Sequence, residues 1–247
     1  MPADVIDFKL YGDDMQVVEI ELDPQEGVRA EVGAMLFMES GIEMQTSTGG
    51  GLFAGFKRML SGDSFFITTF LNQGRGKQKV AFAAPYPGKI IPIDLAKVGG
   101  EFICQKDGFL CAAAGVDITV AFTKKIGTGI FGGEGFILQR LTGDGLAFIH
   151  AGGTILERQL QAGETLRVDT GCLVGMSPSV DYDIKFVGGF KNALFGGEGL
   201  FFAQVTGPGL VYLQSLPFSR LANRVLSASY GGRDEGGLGI GNLLGRE

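Results

Sequence analysis

The chain has 247 residues, 45% of them hydrophobic, and a formal net charge of −6. This acidic balance argues against general nucleic-acid binding, which needs positive charge to neutralise phosphates. The first residues lack the basic and apolar parts of a signal peptide, and no uncharged apolar run approaches the roughly 18 residues of a membrane-spanning helix. Three cysteines without close spacing fit a reducing compartment, so we expect a cytoplasmic protein.

In chain order, the sequence predicts short β-strands separated by turns. Val17–Leu22 alternates in part, and Asp117–Phe122 and Asp181–Phe186 alternate cleanly, as strands do when one face lies on a core. Further apolar or β-branched runs are mostly bounded by Gly, Asp, Pro or Ser: Phe65–Phe70, Val80–Ala84, Lys89–Asp94, Phe136–Leu141, Leu146–His150, Leu166–Thr170 and Leu200–Val205. This spacing, with 42 glycines for tight turns, is typical of an all-β sandwich or barrel.

The best helix candidate follows the last strand. Pro217–Leu226 begins with a proline suited to a first helical turn. Its apolar residues are spaced as one helix face: Phe218, Leu221, Ala222 and Val225. Residues 231–247 form a glycine-rich tail.

Parts of the chain are copies of one another. Val116–Ala151 matches Val180–Ser215 at a shift of 64 positions, with 12 identities in 36 pairs. The preceding parts of these copies match best at a shift of 63, where Glu101 meets Glu164. A fixed repeat of this length indicates an architecture of related units.

We interpret the chain as three pseudo-repeats, at residues 16–84, 85–150 and 151–216. One unit of about 65 residues buries too little surface to be stable alone. We therefore expect one all-β domain over residues 1–230, built like a double-stranded β-helix or a barrel-like sandwich.

Candidate ligand-binding residues are three acids at equivalent places in the repeats, Asp63, Glu134 and Glu198. If a threefold axis relates the units, these carboxylates could face one another and hold a cation. The alternative is that each caps a glycine turn by accepting backbone N–H bonds. Glu43, Asp117 and Asp181 form a second equivalent set, which we interpret as turn or strand-edge residues.

The other motifs give little support for catalysis. Residues 127–132 match G-x-G-x-x-G, but a strand-like run follows instead of the helix that a dinucleotide site requires. His150 is the single histidine and aligns with Gln214, which indicates a polar strand-end position rather than a metal ligand or a base. The sequence therefore predicts no metal site, no cofactor and no enzymatic activity.

One segment could contact an anionic membrane surface. Phe53–Leu60 mixes apolar residues with Lys57 and Arg58, a pattern found in interfacial helices. The alternative is a short helix that closes the end of a barrel with its cationic heads in water.

The Gly-Gly-Glu-Gly elements at 132–135 and 196–199, each followed by Thr-Gly-x-Gly, resemble a known family. This is a bacterial, archaeal and mitochondrial family named for altered inheritance of mitochondria, and the resemblance covers about residues 15–230. It implies a compact all-β fold like a double-stranded β-helix, grouped with the tryptophan RNA-binding attenuation protein, and subunits that assemble. Mitochondrial members are associated with inner-membrane organisation, and no catalytic residues carry over.

We therefore expect a non-catalytic oligomeric scaffold or interaction protein. Its expected partners are further copies of the chain, with a protein partner or peripheral membrane contact as additional candidates. The alternative function is a module that binds a small ligand or a membrane surface.

Overall fold

The computed structural model describes residues 2–46, 67–124, 135–187 and 200–231, so the predicted tail after Gly231 lies outside the described residues. Within these ranges the regular structure is mostly β-strand, with three single-turn 3-10 helices and one α-helix, α1 (Phe218–Gly231). The predicted all-β fold with a short C-terminal helix is confirmed.

The described residues form nineteen strands, a leading strand β1 (Asp7–Tyr11) and three segments of six strands each. The first segment has β2 (Val17–Leu22), β3 (Gly27–Glu31), β4 (Met35–Met38), β5 (Ile42–Thr46), β6 (Ile67–Asn72) and β7 (Gln78–Ala83). The second has β8 (Gly88–Asp94), β9 (Glu101–Gln105), β10 (Phe109–Ala113), β11 (Asp117–Lys124), β12 (Phe136–Thr142) and β13 (Leu146–Gly152). The third has β14 (Ile155–Leu160), β15 (Thr165–Asp169), β16 (Leu173–Met176), β17 (Asp181–Val187), β18 (Leu200–Thr206) and β19 (Gly209–Gln214).

One pattern of strand pairing recurs in all three segments. The first and third strands both pair with the sixth strand, and the second and fourth strands both pair with the fifth. Every one of these pairs is antiparallel. A 3-10 helix joins the second strand to the third in each segment, at Val32–Ala34, Lys106–Gly108 and Thr170–Cys172.

The segments are joined to one another by a further strand pair, which we call a junction. At each junction the second strand of one segment pairs with the third strand of the next, as β3 does with β10 and β9 with β16. The junctions produce two six-stranded sheets, β5-β6-β3-β10-β13-β8 and β11-β12-β9-β16-β19-β14. The sheets β1-β2-β7-β4 and β15-β18-β17 stay separate, so the described strands do not close into a barrel.

The register is also repeated. A bulge interrupts the third strand at the same place in each segment, between Met35 and Phe37 and at the equivalent positions of β10 and β16. The second strands begin at equivalent residues, because Glu101 lies opposite Thr142 and Thr165 lies opposite Thr206. Glu101 is therefore equivalent to Thr165 at a shift of 64, and the sequence match to Glu164 at a shift of 63 is wrong by one residue.

Burial follows the position of each strand in its sheet. β2 alternates between half-buried and buried residues, as a strand with one covered face does, whereas β10 and β16 are buried along their whole length in the middle of six-stranded sheets. Two hydrophobic clusters result. The larger one surrounds Phe70, Phe82, Phe102 and Phe148, and the smaller one joins the third segment to Ile103, Phe136 and Leu138 of the second.

The helix is present but its apolar stripe is only partly covered. Phe218 is 52% exposed and Val225 is 60% exposed, so the predicted stripe does not lie wholly on a core. The helix continues from the predicted end at Leu226 to Gly231. In the described part of the chain, no helix is both long and apolar enough to span a membrane.

The second junction requires a glycine at position 175. A Cβ added there would lie 2.6 Å from Cε1 of Phe102 and 2.8 Å from the carbonyl oxygen of Ile103 on the paired strand. We expect Gly175→Ala to lower the free energy of unfolding by about 1–3 kcal/mol, because the junction must open to admit the methyl group. Urea unfolding followed by circular dichroism would measure the change.

Gly76→Ala is the matched control, since a Cβ at Gly76 meets no atom within 4 Å. Its effect should stay within about 0.5 kcal/mol. Equal stability of the two variants would contradict a tightly packed junction.

Candidate functional site

Most of the sequence-based candidates lie outside the described residues. This applies to Asp63, Glu134 and Glu198, to the glycine motif at 127–132 and to the segment at 53–60. The convergence of the three acids and the membrane contact therefore stay predictions.

The second set of equivalent acids is described and does not form a cluster. Glu43, Asp117 and Asp181 are exposed and lie on β5, β11 and β17, which belong to three different sheets. Within the described ranges, no three or more His, Cys, Asp or Glu side chains are grouped to hold a metal ion.

Two strands, β4 and β15, lie at the edges of their sheets, on the side where the equivalent strands of other segments form a junction. β4 pairs with β7 alone and β15 pairs with β18 alone among the described strands. β4 is the third strand of the first segment and β15 is the second strand of the third segment, so they are the two halves of a junction that does not form among the described strands. We call β4 and β15 the open edges.

Side chains of β4 are exposed at positions that a paired strand covers in the second segment. Phe37 and Met38 are 41% and 39% exposed. At the equivalent positions in the first junction, Cys111 and Ala112 are fully buried against β3. Leu36, within the bulge, is 59% exposed. Among the described strands, nothing pairs with the outer side of β4, so this open edge combines free strand positions with an exposed apolar surface.

A cavity of about 240 Å³ lies beside the first junction. The turn between β7 and β8, the first two 3-10 helices and their flanks, β13 and the start of α1 all contribute to its walls. The lining residues are Glu31, Gly33, Ala34, Ala84, Pro85, Tyr86, Asp107, Phe109, Leu110, His150 and Phe218.

His150 is the buried polar residue of this cavity. Its side chain is 2% exposed, and its Nδ1 atom has no hydrogen-bond partner. The rings of His150 and Tyr86 meet edge to face, with their centroids 4.5 Å apart. Gly88 makes room for this ring, because a Cβ there would lie 2.5 Å from Nε2. Burial lowers the pKa of His150 to about 4, so the imidazole is neutral at pH 7.

The equivalent place at the second junction is closed. Gln214, which is equivalent to His150, donates from Nε2 to the carbonyl oxygen of Gly171 and accepts at Oε1 from the backbone N–H of Gly152. At the first junction the position of Gly152 is taken by Pro85, which has no N–H to donate. The hydrogen-bonded bridge that Gln214 makes at the second junction is therefore incomplete at the first junction.

The cavity also has an acidic side. Glu31 and Asp107 are both exposed residues, yet partial desolvation of the Glu31 carboxyl raises its pKa, the charge of Asp107 raises it further, and Lys106 opposes the shift. Burial raises the pKa of Tyr86 to about 12, and Asp107 and Glu31 add to this rise. The charges of Asp107 and Glu31 therefore make the electrostatic potential at the Tyr86 hydroxyl negative.

Sequence reasoning singled out His150 but missed the cavity and both open edges. The signal for the open edge was present in Met35–Met38, four consecutive apolar residues that align with the buried β16. The cavity depends on Pro85 and Phe218, which lie far from His150 in the sequence and carry no shared motif.

Protonation of His150 should make stability depend on pH. The unfolded state binds a proton near pH 6.5, whereas the folded state resists it until about pH 4, so stability falls as the pH drops through this window. The loss between pH 7 and pH 4 amounts to about 3 kcal/mol. We expect His150→Gln to remove this part of the pH dependence of the free energy of unfolding, while the parts due to other titrating groups remain.

Urea unfolding of both proteins across this window tests the expectation. As the pH falls, the free energy of unfolding of His150→Gln should rise relative to that of the wild type. Parallel profiles would show that His150 is not buried as a neutral ring.

Comparison with known proteins agrees with this fold. The crystal structure of a Streptococcus pyogenes protein superimposes with a TM-score of 0.73, at 24% identity, covering 90% of this chain and 99% of that one. An uncharacterised protein of Streptococcus pyogenes serotype M6 is 30% identical over 214 residues, which cover 83% of this chain and 84% of the relative. The family model described as mitochondrial biogenesis AIM24 matches residues 8–216. The expected family resemblance is confirmed, and the chain belongs to the AIM24 mitochondrial biogenesis family.

Proposed function

We propose that this protein is a non-catalytic scaffold that assembles with further copies of itself through its two open edges. The observation that carries the proposal is the unpaired junction. The chain makes the same strand pair twice internally, at β3–β10 and β9–β16, and has both halves of a third pair at β4 and β15.

We therefore assign β15 of a second copy as the partner of β4, and β4 of a second copy as the partner of β15. Exposed edge strands offer rows of unpaired N–H and C=O groups that recruit another strand. β4 has the bulge and the preceding 3-10 helix of β10 and β16, so its backbone has the features that β3 and β9 already accept.

The internal junctions also give the register of the proposed contact. Ala30 lies opposite Cys111 and Arg29 lies opposite Ala112 at the first junction. Transferred to equivalent residues, this register places Val168 of one copy opposite Phe37 of the next, and Arg167 opposite Met38. The contact would cover the apolar surface that β4 now exposes.

Such a contact is head-to-tail, because each copy uses β4 at one side and β15 at the other. Heterologous contacts of this kind form rings when the rotation between copies closes, and filaments when it does not. The scaffold reading thus predicts assembly through one repeated contact, without an additional type of interface.

The register predicts how charge at position 38 affects assembly. Met38→Lys places two positive charges opposite one another and should shift the protein to monomer, whereas Met38→Glu faces Arg167 with an opposite charge and should preserve the oligomer. Combining Met38→Lys with Arg167→Glu should restore it. Native mass spectrometry at several protein concentrations measures these states.

Matched melting temperatures would show that the monomeric variant is folded. A wild-type chain that stays monomeric at high concentration would contradict the proposal. So would equal behaviour of Met38→Lys and Met38→Glu.

A cysteine pair tests the register directly. Met38→Cys with Arg167→Cys should form disulfides between copies, because opposite residues in an antiparallel pair bring Cβ atoms to about 4.5–5.5 Å. Non-reducing electrophoresis should then show a ladder of linked chains or one closed species. Cys104 and Cys111 are buried but Cys172 is half-buried, so the chain without the two substitutions is the control for cross-linking by native thiols.

The control is Met38→Cys with Thr165→Cys, which moves one cysteine two residues along β15 on the same face. It should cross-link far less than the matched pair. Equal cross-linking of the two pairs would overturn the assigned register.

A further inference from the structure

We propose that the cavity beside His150 is a binding site for a small organic cation, an ammonium group on a short apolar body. The inference does not depend on self-assembly. It stands on the charge, the aromatic rings and the neutral imidazole ring that line this cavity.

Charge selects a cation. The charged residues that line the cavity are Glu31 and Asp107, and both are acidic. Both side chains are exposed, and at Glu31 the charge of Asp107, which raises the pKa, outweighs the charge of Lys106, which lowers it. A cation in the cavity would offset the repulsion between the two carboxylates, whereas an anion would add to it.

Aromatic rings supply the second part of the recognition. Tyr86 meets His150 edge to face and lies 5.4 Å from the ring of Phe218, centroid to centroid. Phe109 adds a fourth ring to the lining. Aromatic faces attract ammonium groups through their quadrupole, and the attraction grows when the cation is shielded from water.

The imidazole of His150 is compatible with a cationic ligand because the ring carries no charge of its own. Because burial keeps it neutral at pH 7, the ring does not repel a cation. Its Nδ1 atom has almost no surface open to the cavity, so the ring acts there as an uncharged wall. The equivalent Gln214 instead spans its site with an amide that is hydrogen-bonded at both ends.

Size and geometry exclude two other ligand classes. A cavity of about 240 Å³ lies below the usual range of sites for drug-sized ligands or nucleotides. A metal ion is disfavoured, because Glu31, Asp107 and His150 are not grouped closely enough to ligate one. A compact ammonium compound with an apolar part matches both the volume and the Ala34, Ala84 and Leu110 wall.

Tetramethylammonium and n-butylammonium are the probes for this site, with tert-butanol as a neutral analogue and acetate as an anion. Saturation-transfer NMR and isothermal titration calorimetry on the full chain at pH 7 would measure binding. We expect the cations to bind and the neutral and anionic compounds to bind at least tenfold more weakly.

Matched variants locate the binding. Glu31→Gln keeps the shape of the side chain and should weaken cation binding about tenfold, a change of about 1.4 kcal/mol. Glu43→Gln removes the same charge from an exposed position on β5 and should leave affinity unchanged. Phe218→Leu keeps an apolar contact without the aromatic face and should weaken binding several-fold.

The same titration on the Met38→Lys variant separates this proposal from the one on assembly. Binding that persists in a monomer supports the cavity whatever the fate of the open edges. Equal binding of cation and neutral analogue, equal loss in Glu31→Gln and Glu43→Gln, or no binding at millimolar concentration would each overturn the site.

Discussion

Backbone hydrogen bonding between segments is the constraint on which this architecture depends. A strand in the middle of a sheet must satisfy its N–H and C=O groups on both sides, and leaving such groups buried without partners costs about 1–3 kcal/mol each. β10 and β16 meet this requirement with one neighbour from their own segment and one from the preceding segment. The segments are therefore held together by sheet continuity as well as by side-chain packing, and the register of each junction is fixed.

The sequence predicted strands with one covered face from their alternation, and strands such as β12 and β13 from apolar runs that turn residues bound. Val17–Leu22 is found as predicted, and Asp117–Phe122 and Asp181–Phe186 are each extended slightly. The third strands were missed for a physical reason. Phe109–Ala113 is buried on both faces and has no β-branched residue, so it shows neither alternation nor a strand-like composition, and the bulge after Phe109 interrupts the period of two.

The candidate site could be predicted only in part. The equivalence of His150 and Gln214 was readable from the repeat, and it identified a polar position at the end of a strand. Hydrogen bonding at that position depends on the preceding segment, where Pro85 has no N–H to donate to it. Exposure of Phe37 and Met38 was likewise beyond the sequence, because the same third-strand position is buried wherever a preceding segment supplies the second strand that covers it.

The pairing rule has a consequence for chains with other numbers of segments. Each added segment brings one second strand and one third strand, and each junction uses one of each. A linear chain of one, two, three or ten segments would therefore always have one unpaired strand of each kind. Lengthening the chain cannot reduce this number, and shortening it cannot increase it. Only closure of the last segment on the first, within one molecule or across several, would leave no strand unpaired.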